Sequence, residues 1–237
     1  MRRLRTTAAV LEASDDSLVR WAAQALSSGG AAWEHNGAVA VHAPHLARRR
    51  RLVLAGPAEG VASLLAAHGR GVELRPLMER PLALEVAEVM PSPWVEDTPF
   101  GWMDRSGTLD RPAEACWLAS PDDVETLLRV ANPASWAWPG EEGVRRWAGV
   151  HVDSTLVATA AEAWSSADVG FIMGVAVHPS HTGKGLGRRV CQFVASNLLS
   201  RYGTCALFVD EDNAPAIALY RGLGFTYRDV TTLLPAG

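Results

Sequence analysis

The alternation of apolar and polar positions divides the chain into two runs of α/β pattern with an irregular stretch between them. Ser14, Asp15 and Asp16 open a predicted helix to about Leu26, with Leu18, Val19, Ala22 and Leu26 on one side. Short strands follow near 32–35 and 38–42, joined by Asn36-Gly37, a pair suited to a tight hairpin turn. The run RLVLAG, 51–56, reads as a buried strand, 58–68 as a helix and 72–77 as a further strand. Between 90 and 112, Pro91, Pro93, Pro99 and Pro112 prevent a long helix. Trp94, Phe100 and Trp102 are more aromatic surface than a free linker carries, and are expected to pack on the core or on a bound ligand. The second run opens at Ser120-Pro121-Asp122-Asp123, a helix start with acids at the positive dipole end. Residues 147–152 and 154–164 predict an antiparallel pair turning at Asp153-Ser154. VGFIMGVAV, 169–177, is apolar on both faces and so a central strand. A helix to about Leu199 follows, with Val190, Phe193, Val194 and Leu198 on its core face. Then come the strand 205–210, a helix capped by Asn213 and ended by Gly222 or Gly224, and a last strand near 225–234. The pattern predicts a small α/β domain over 1–90, a Pro/Trp-rich linker or lid over 91–112, and a second α/β domain over 113–237.

Composition narrows the class. Apolar residues make up 48% of the 237 and charged residues 20%, enough for a sizeable core and too regular for disorder. The net charge of −4 argues against a nucleic-acid binder. The basic run Arg48 to Arg51 reads first as a solvated loop or strand edge, second as a phosphate contact. Cys116, Cys191 and Cys205 are odd in number and far apart, which fits a reducing compartment without disulfides. Ala8–Leu11 is too short for a signal segment, and no run approaches the ~18 apolar residues of a membrane helix. The expected location is the cytoplasm, away from membranes.

Chemistry concentrates in HPSHTGKGLGRRV, 178–190, between the central strand and a helix. A helix start has unpaired N–H groups and a positive dipole end, and glycines let those amides approach an anion. A strand, a glycine loop and a helix thus form a ready phosphate cradle, to which Lys184, Arg188 and Arg189 add charge. Two familiar loops fail the letters. A P-loop needs Ser or Thr after its Lys, and Lys184 is followed by Gly185; a dinucleotide loop needs a third glycine where Val190 stands.

VAVHPSHTGKGLGRRV resembles the acetyl-CoA signature of the GNAT superfamily of N-acyltransferases. Val177-His178-Pro179 matches its first part and Thr182-Gly183-Lys184-Gly185-Leu186-Gly187 its second, with Thr182 where Arg or Gln is usual. DEDNAPAIALYRGLGF, 210–225, is similar to a second family signature, matching at Asn213, Ala216, Leu219, Tyr220, Gly224 and Phe225. The firm resemblance covers about 145–230. It implies a GNAT fold: a mixed, mostly antiparallel central sheet with flanking helices, preceded by the smaller α/β domain. That domain is then either a degenerate second copy or an acceptor-binding domain, and it has no glycine loop of its own.

The resemblance implies acetyl-CoA as acyl donor, no metal, and an unidentified primary amine as acceptor. The pantetheine arm would pair with the backbone of Val175, Ala176 and Val177. The pyrophosphate would rest on the amides of Gly183, Lys184, Gly185, Leu186, Gly187 and Arg188, and Thr182 would belong to the same cofactor-binding loop. Asn213 would lie near the pantetheine, and Tyr220 near the sulfur as general acid for the thiolate. Many relatives carry Glu where Phe171 stands, so the base is sought elsewhere: Glu162 on the adjacent strand, Asp168, His178, or a water relay. Small residues such as Gly174 and Ala176 would admit a longer acyl chain. The rival reading is a non-catalytic acyl-CoA-binding module. A homodimer through the aromatic stretch is the assembly left open.

Overall fold

The computed structural model describes residues 1–71, 73–112 and 114–236. Val72, Ala113 and Gly237 lie outside the described residues, and with them the first residue of the strand expected at 72–77 and both ends of the domain expected at 113–237. By contact density the chain forms two compact units: unit 1 comprises 1–103, 208–214 and 227–237, and unit 2 comprises 104–207 and 215–226.

Unit 1 begins with β1 (Arg2–Leu4) and α1 (Thr7–Ala13), which the sequence reading did not predict, and α2 (Ser17–Ala22), the first part of the helix expected from 14 to about 26. The two helices are separate for a local reason. Thr6 caps α1 through its hydroxyl, and Asp16 Oδ1 accepts from the amides of Leu18 and Val19, each at 2.9 Å, which starts a new helix. After a 3-10 turn come β2 (Ala31–His35), β3 (Ala38–Leu46), β4 (Arg49–Ala55), α3 (Ala58–His68), β5 (Leu74–Glu79) and α4 (Arg80–Val89). The stretch expected as a linker or lid carries β6 (Trp94–Glu96) and β7 (Phe100–Ser106). Its aromatics serve the core: Trp94 packs with Leu52, Leu54, Met78 and Leu233, while Trp102 lies 5.6 Å from Trp21 and 5.2 Å from Phe208 between ring centroids. β13 (Thr226–Pro235) pairs with β5 and β6, in the order β1-β2-β3-β4-β5-β13-β7.

Unit 2 holds β8 (Cys116–Trp117), α5 (Asp122–Ala131), β9 (Val144–Val152), β10 (Thr155–Ala163), β11 (Val169–Val177), α6 (Leu186–Tyr202), β12 (Thr204–Asp210) as far as Leu207 and α7 (Ala214–Gly222) from Pro215, in the strand order β12-β11-β10-β9-β8. β9 and β10 turn at Asp153 and Ser154, both in the left-handed region at φ 47 and 66. Val190, Phe193, Val194 and Leu198 are fully buried on the inner side of α6, as their spacing predicts. The order β2-β3-β4-α3-β5-α4 in the first half repeats as β9-β10-β11-α6-β12-α7 in the second, and in both the strand after the long helix runs parallel to the strand before it. The link between β4 and α3 is only Gly56-Pro57, with Glu59 in the helix's first turn. No helix among the described residues is long and apolar enough to cross a membrane.

Candidate active site

The site is built where β11 passes into α6. Val169, Gly170 and Phe171 pair in parallel with Thr204, Cys205 and Ala206 of β12. Beyond Phe171 that register ends, while on its other edge β11 stays paired with β10 as far as Val177. The second half of β11 therefore presents one backbone edge free of β12. The His178 amide donates to the Val157 carbonyl at 2.8 Å. Antiparallel bonding alternates, so Ala176 exchanges its bonds with Thr159, and the N–H and C=O of Val177 face away from β10. The expected trio thus divides: Val175 and Val177 lie on the open edge, and the polar groups of Ala176 belong to the ladder.

A bulge interrupts β11 at Gly174 and Val175, which together face Ala160. Gly174 has φ 63, and a Cβ there would lie 2.5 Å from the Trp147 ring. Gly174 is thus no spare volume for a longer acyl chain, as its small size suggested; Trp147 already fills the space. The Val175 carbonyl accepts from Asn132 Nδ2 at 3.1 Å. Sequence reading missed Asn132, and the only signal for it was an Asn-Pro step at the end of α5.

The loop is held by its own side chains. The His178 and His181 Nδ1 atoms lie 2.8 and 2.9 Å from the Ser180 hydroxyl, and Thr182 Oγ1 donates to the Pro179 carbonyl at 3.0 Å. Thr182 thus closes the turn with the side chain that replaces the usual Arg or Gln. Gly183 and Gly185 both have φ 75, and an added Cβ would meet nothing at either. The requirement there is for left-handed backbone and for an open face. At Gly187 it is packing, since a Cβ would stand 3.2 Å from Val177 Cγ2. The Arg189 amide reaches back to the Gly185 carbonyl at 3.1 Å, so the amides of Leu186, Gly187 and Arg188 are the orphan donors of the helix start. Lys184 is exposed and has no ion pair among the described residues. The Arg188 guanidinium donates to the Gly222 carbonyl at 2.9 Å, so it caps α7 and leaves only its backbone amide to the cradle.

Tyr220, on α7, is 4% exposed, and its hydroxyl lies 3.3 Å from Cys191 Sγ on α6. Burial, reinforced by Cys191, holds the phenol well above its usual value, and burial pushes the Cys191 thiol up to about 12. Glu162 is fully buried on β10, and both carboxylate oxygens are engaged. Arg146 Nε donates to Oε2 at 2.8 Å and the Tyr202 hydroxyl to Oε1 at 2.6 Å. Burial and then Glu162 raise the Tyr202 phenol, which keeps it a donor. The Arg146 guanidinium in turn lies 3.7 Å from the Trp117 ring centroid. Phe171 is fully buried. Asp168 Oδ1 accepts from Ser166 Oγ at 3.4 Å in the turn before β11. Asn213 immediately precedes α7, its amide donating to the Asp210 carbonyl at 3.0 Å.

The parallel strand pair that opens above a glycine-lined helix start is the arrangement that the resemblance to acyl-group transferases implies. The model of the acetyltransferase (GNAT) family matches residues 92–225, and the chain belongs to that family. A mycothiol acetyltransferase of Nocardioides sp. is 32% identical over 152 residues, covering 63% of this chain and 48% of that protein. The chain thus spans about half the length of that relative. A GCN5-related N-acetyltransferase from Kribbella flavida superposes with a TM-score of 0.58 at 19% identity, covering 94% of this chain and 97% of that one. A GCN5-related N-acetyltransferase-like protein from Streptococcus suis gives 0.51 at 13% identity, covering 96% and 98%. Both share the fold.

Proposed function

We propose that the protein transfers an acetyl group from acetyl-CoA to a primary amine. The observation that carries this reading is the opening of β11 from β12 after Phe171, directly before the amide-lined loop 183–188. The open-edge groups of Val175 and Val177 pair with the pantetheine amides, and the amides from Gly183 to Arg188 take the pyrophosphate, with Lys184 as counter-charge. The neutral amine attacks the thioester carbonyl carbon. A C–N bond forms as the carbonyl oxygen gains charge, which an N–H donor at the acyl end of the open edge must receive. Collapse breaks the C–S bond, and the amine's proton leaves through water. The thiolate takes the Tyr220 proton. Burial raises the Tyr220 phenol, so it stays protonated and holds the proton it gives. In this reading Glu162 is a structural carboxylate, because both oxygens are occupied. The name of the Nocardioides relative supports a small-molecule acceptor.

Calorimetric titration with acetyl-CoA, CoA and a longer acyl-CoA tests the donor site. CoA release is then followed with glucosamine, spermidine, L-alanine amide and a short alanyl peptide. Binding of acetyl-CoA without turnover, and without any effect of Tyr220→Phe, would favour the acyl-CoA-binding module instead. Absence of binding would end the reading.

A further inference from the structure

Asn132 closes α5, and its own backbone is fixed on both sides. Its amide donates to the Leu128 carbonyl at 2.8 Å, and its carbonyl accepts from the Ser135 amide at 3.1 Å. Its side chain crosses to β11 and donates to the Val175 carbonyl at 3.1 Å. Because that partner is a carbonyl, the nitrogen of the carboxamide must face it, which fixes the orientation of the group without ambiguity. The bulge beside it is equally constrained. Trp147 fills the space at Gly174, and the Ala137 methyl lies 3.3 Å from where a Gly174 Cβ would be.

Nδ2 carries two hydrogens. One serves Val175, and the second has no acceptor among the described residues. Val175 lies on the open edge of β11, two residues further from the glycine loop than Val177. An arm that enters at the loop and runs along this edge reaches Val177 first and Val175 last, so its acyl end arrives at Asn132.

On the acetyl-CoA reading proposed above, we infer that Asn132 is a catalytic residue: its second Nδ2 hydrogen donates to the thioester carbonyl oxygen of the acyl group and holds the charge that develops there when the amine attacks. The bond to Val175 keeps the donor in place before the substrate arrives, so no reorganisation is needed during the reaction. The ligand feature it recognises is an acyl carbonyl, which CoA itself lacks.

The test compares CoA and acetyl-CoA by calorimetry on the full chain, wild type against Asn132→Ala and Asn132→Asp. A carboxylate at 132 has no N–H for either carbonyl. The expected result is CoA affinity within twofold of wild type in both variants, with acetyl-CoA weakened about three- to tenfold, so that discrimination between the two ligands is lost. In turnover, kcat should fall about a hundredfold at saturating acetyl-CoA, the usual scale for one oxyanion donor. Equal weakening of CoA and acetyl-CoA would mean that Asn132 only shapes the strand, and would overturn the inference. So would unchanged affinity for both. If the wild-type chain binds neither ligand, the acetyl-CoA reading falls and this inference with it; if the wild type binds both and the variants match it, only the inference falls.

Discussion

Replacing Glu162 with Gln separates a structural carboxylate from a base. The side chain is fully buried, and it accepts from Arg146 at 2.8 Å and from Tyr202 at 2.6 Å. Hydrogen bonds to a charged group contribute about 1.5–3 kcal/mol each. The Arg146 side chain is 35% exposed, so its share belongs at the low end of that range. Glutamine keeps one acceptor oxygen and turns an NH2 group toward the other donor, so one bond becomes a donor–donor clash. The expected loss is about 2–4 kcal/mol, below the full cost of stranding a charge because Arg146 can reach water. For a chain of this length about 1 kcal/mol moves Tm by roughly 2–4 °C, so E162Q should melt roughly 4–16 °C below wild type. Tyr202→Phe should lose about 1.5–3 kcal/mol, and the double variant less than the sum, since the two changes break the same bond. Thermal melts by circular dichroism supply the stabilities, and CoA release well below the melt supplies the pH–rate profile. The structural reading requires E162Q to keep most of its turnover and its acidic limb. A melt within 2 °C of wild type, with a hundredfold loss of turnover and no acidic limb, would refute it and make Glu162 the base.

Gly185→Ala meets no steric obstacle but must hold φ 75, a left-handed strain of about 1–2 kcal/mol, and its methyl faces the cradle; acetyl-CoA binding by calorimetry should weaken at least tenfold. Tyr220→Phe should lower kcat at least tenfold and leave acetyl-CoA affinity unchanged, while Cys191→Ala, which removes the neighbouring thiol, should keep most of the turnover. In unit 1, burial lowers the pKa of both His42 and His68, and His68 is stacked 3.8 Å from Trp33. The unfolded chain therefore takes up these protons first. Their contribution is full above about 6.5 and is lost as pH falls below it, so melts between pH 7.5 and 5 should show a decline that His68→Gln makes shallower. Gly174→Ala combines left-handed strain with a 2.5 Å approach to Trp147 and should cost about 2–5 kcal/mol, measured as a fall in Tm.

What the sequence disclosed depended on whether a constraint was local. The glycine loop was legible because left-handed backbone and an open face both demand one residue type, at Gly183 and Gly185. The β9–β10 turn and the inner face of α6 were legible through turn chemistry and periodicity. The helix α1 was missed, and the start of α2 was placed early because Ser14 and Asp16 are both good caps and only the bonds to Leu18 and Val19 decide between them. The strands in 91–112 were hidden by the prolines that flank them. The bond from Asn132 to Val175 and the tie between Glu162 and Tyr202 were not legible, since each joins residues about forty positions apart. Arg188 looked like a phosphate ligand because nothing in its neighbourhood announces Gly222.

The two units are interleaved along the chain, with 208–214 and 227–237 returning to unit 1 after unit 2 has begun. Val230, Thr231 and Thr232 complete the edge of β5 at Glu79, Met78 and Leu77. During synthesis the first unit must therefore wait, its β5 edge uncovered, until the residues around 230 have emerged from the ribosome. Truncation of the chain before Val230 would consequently damage the unit whose strands are mostly translated first.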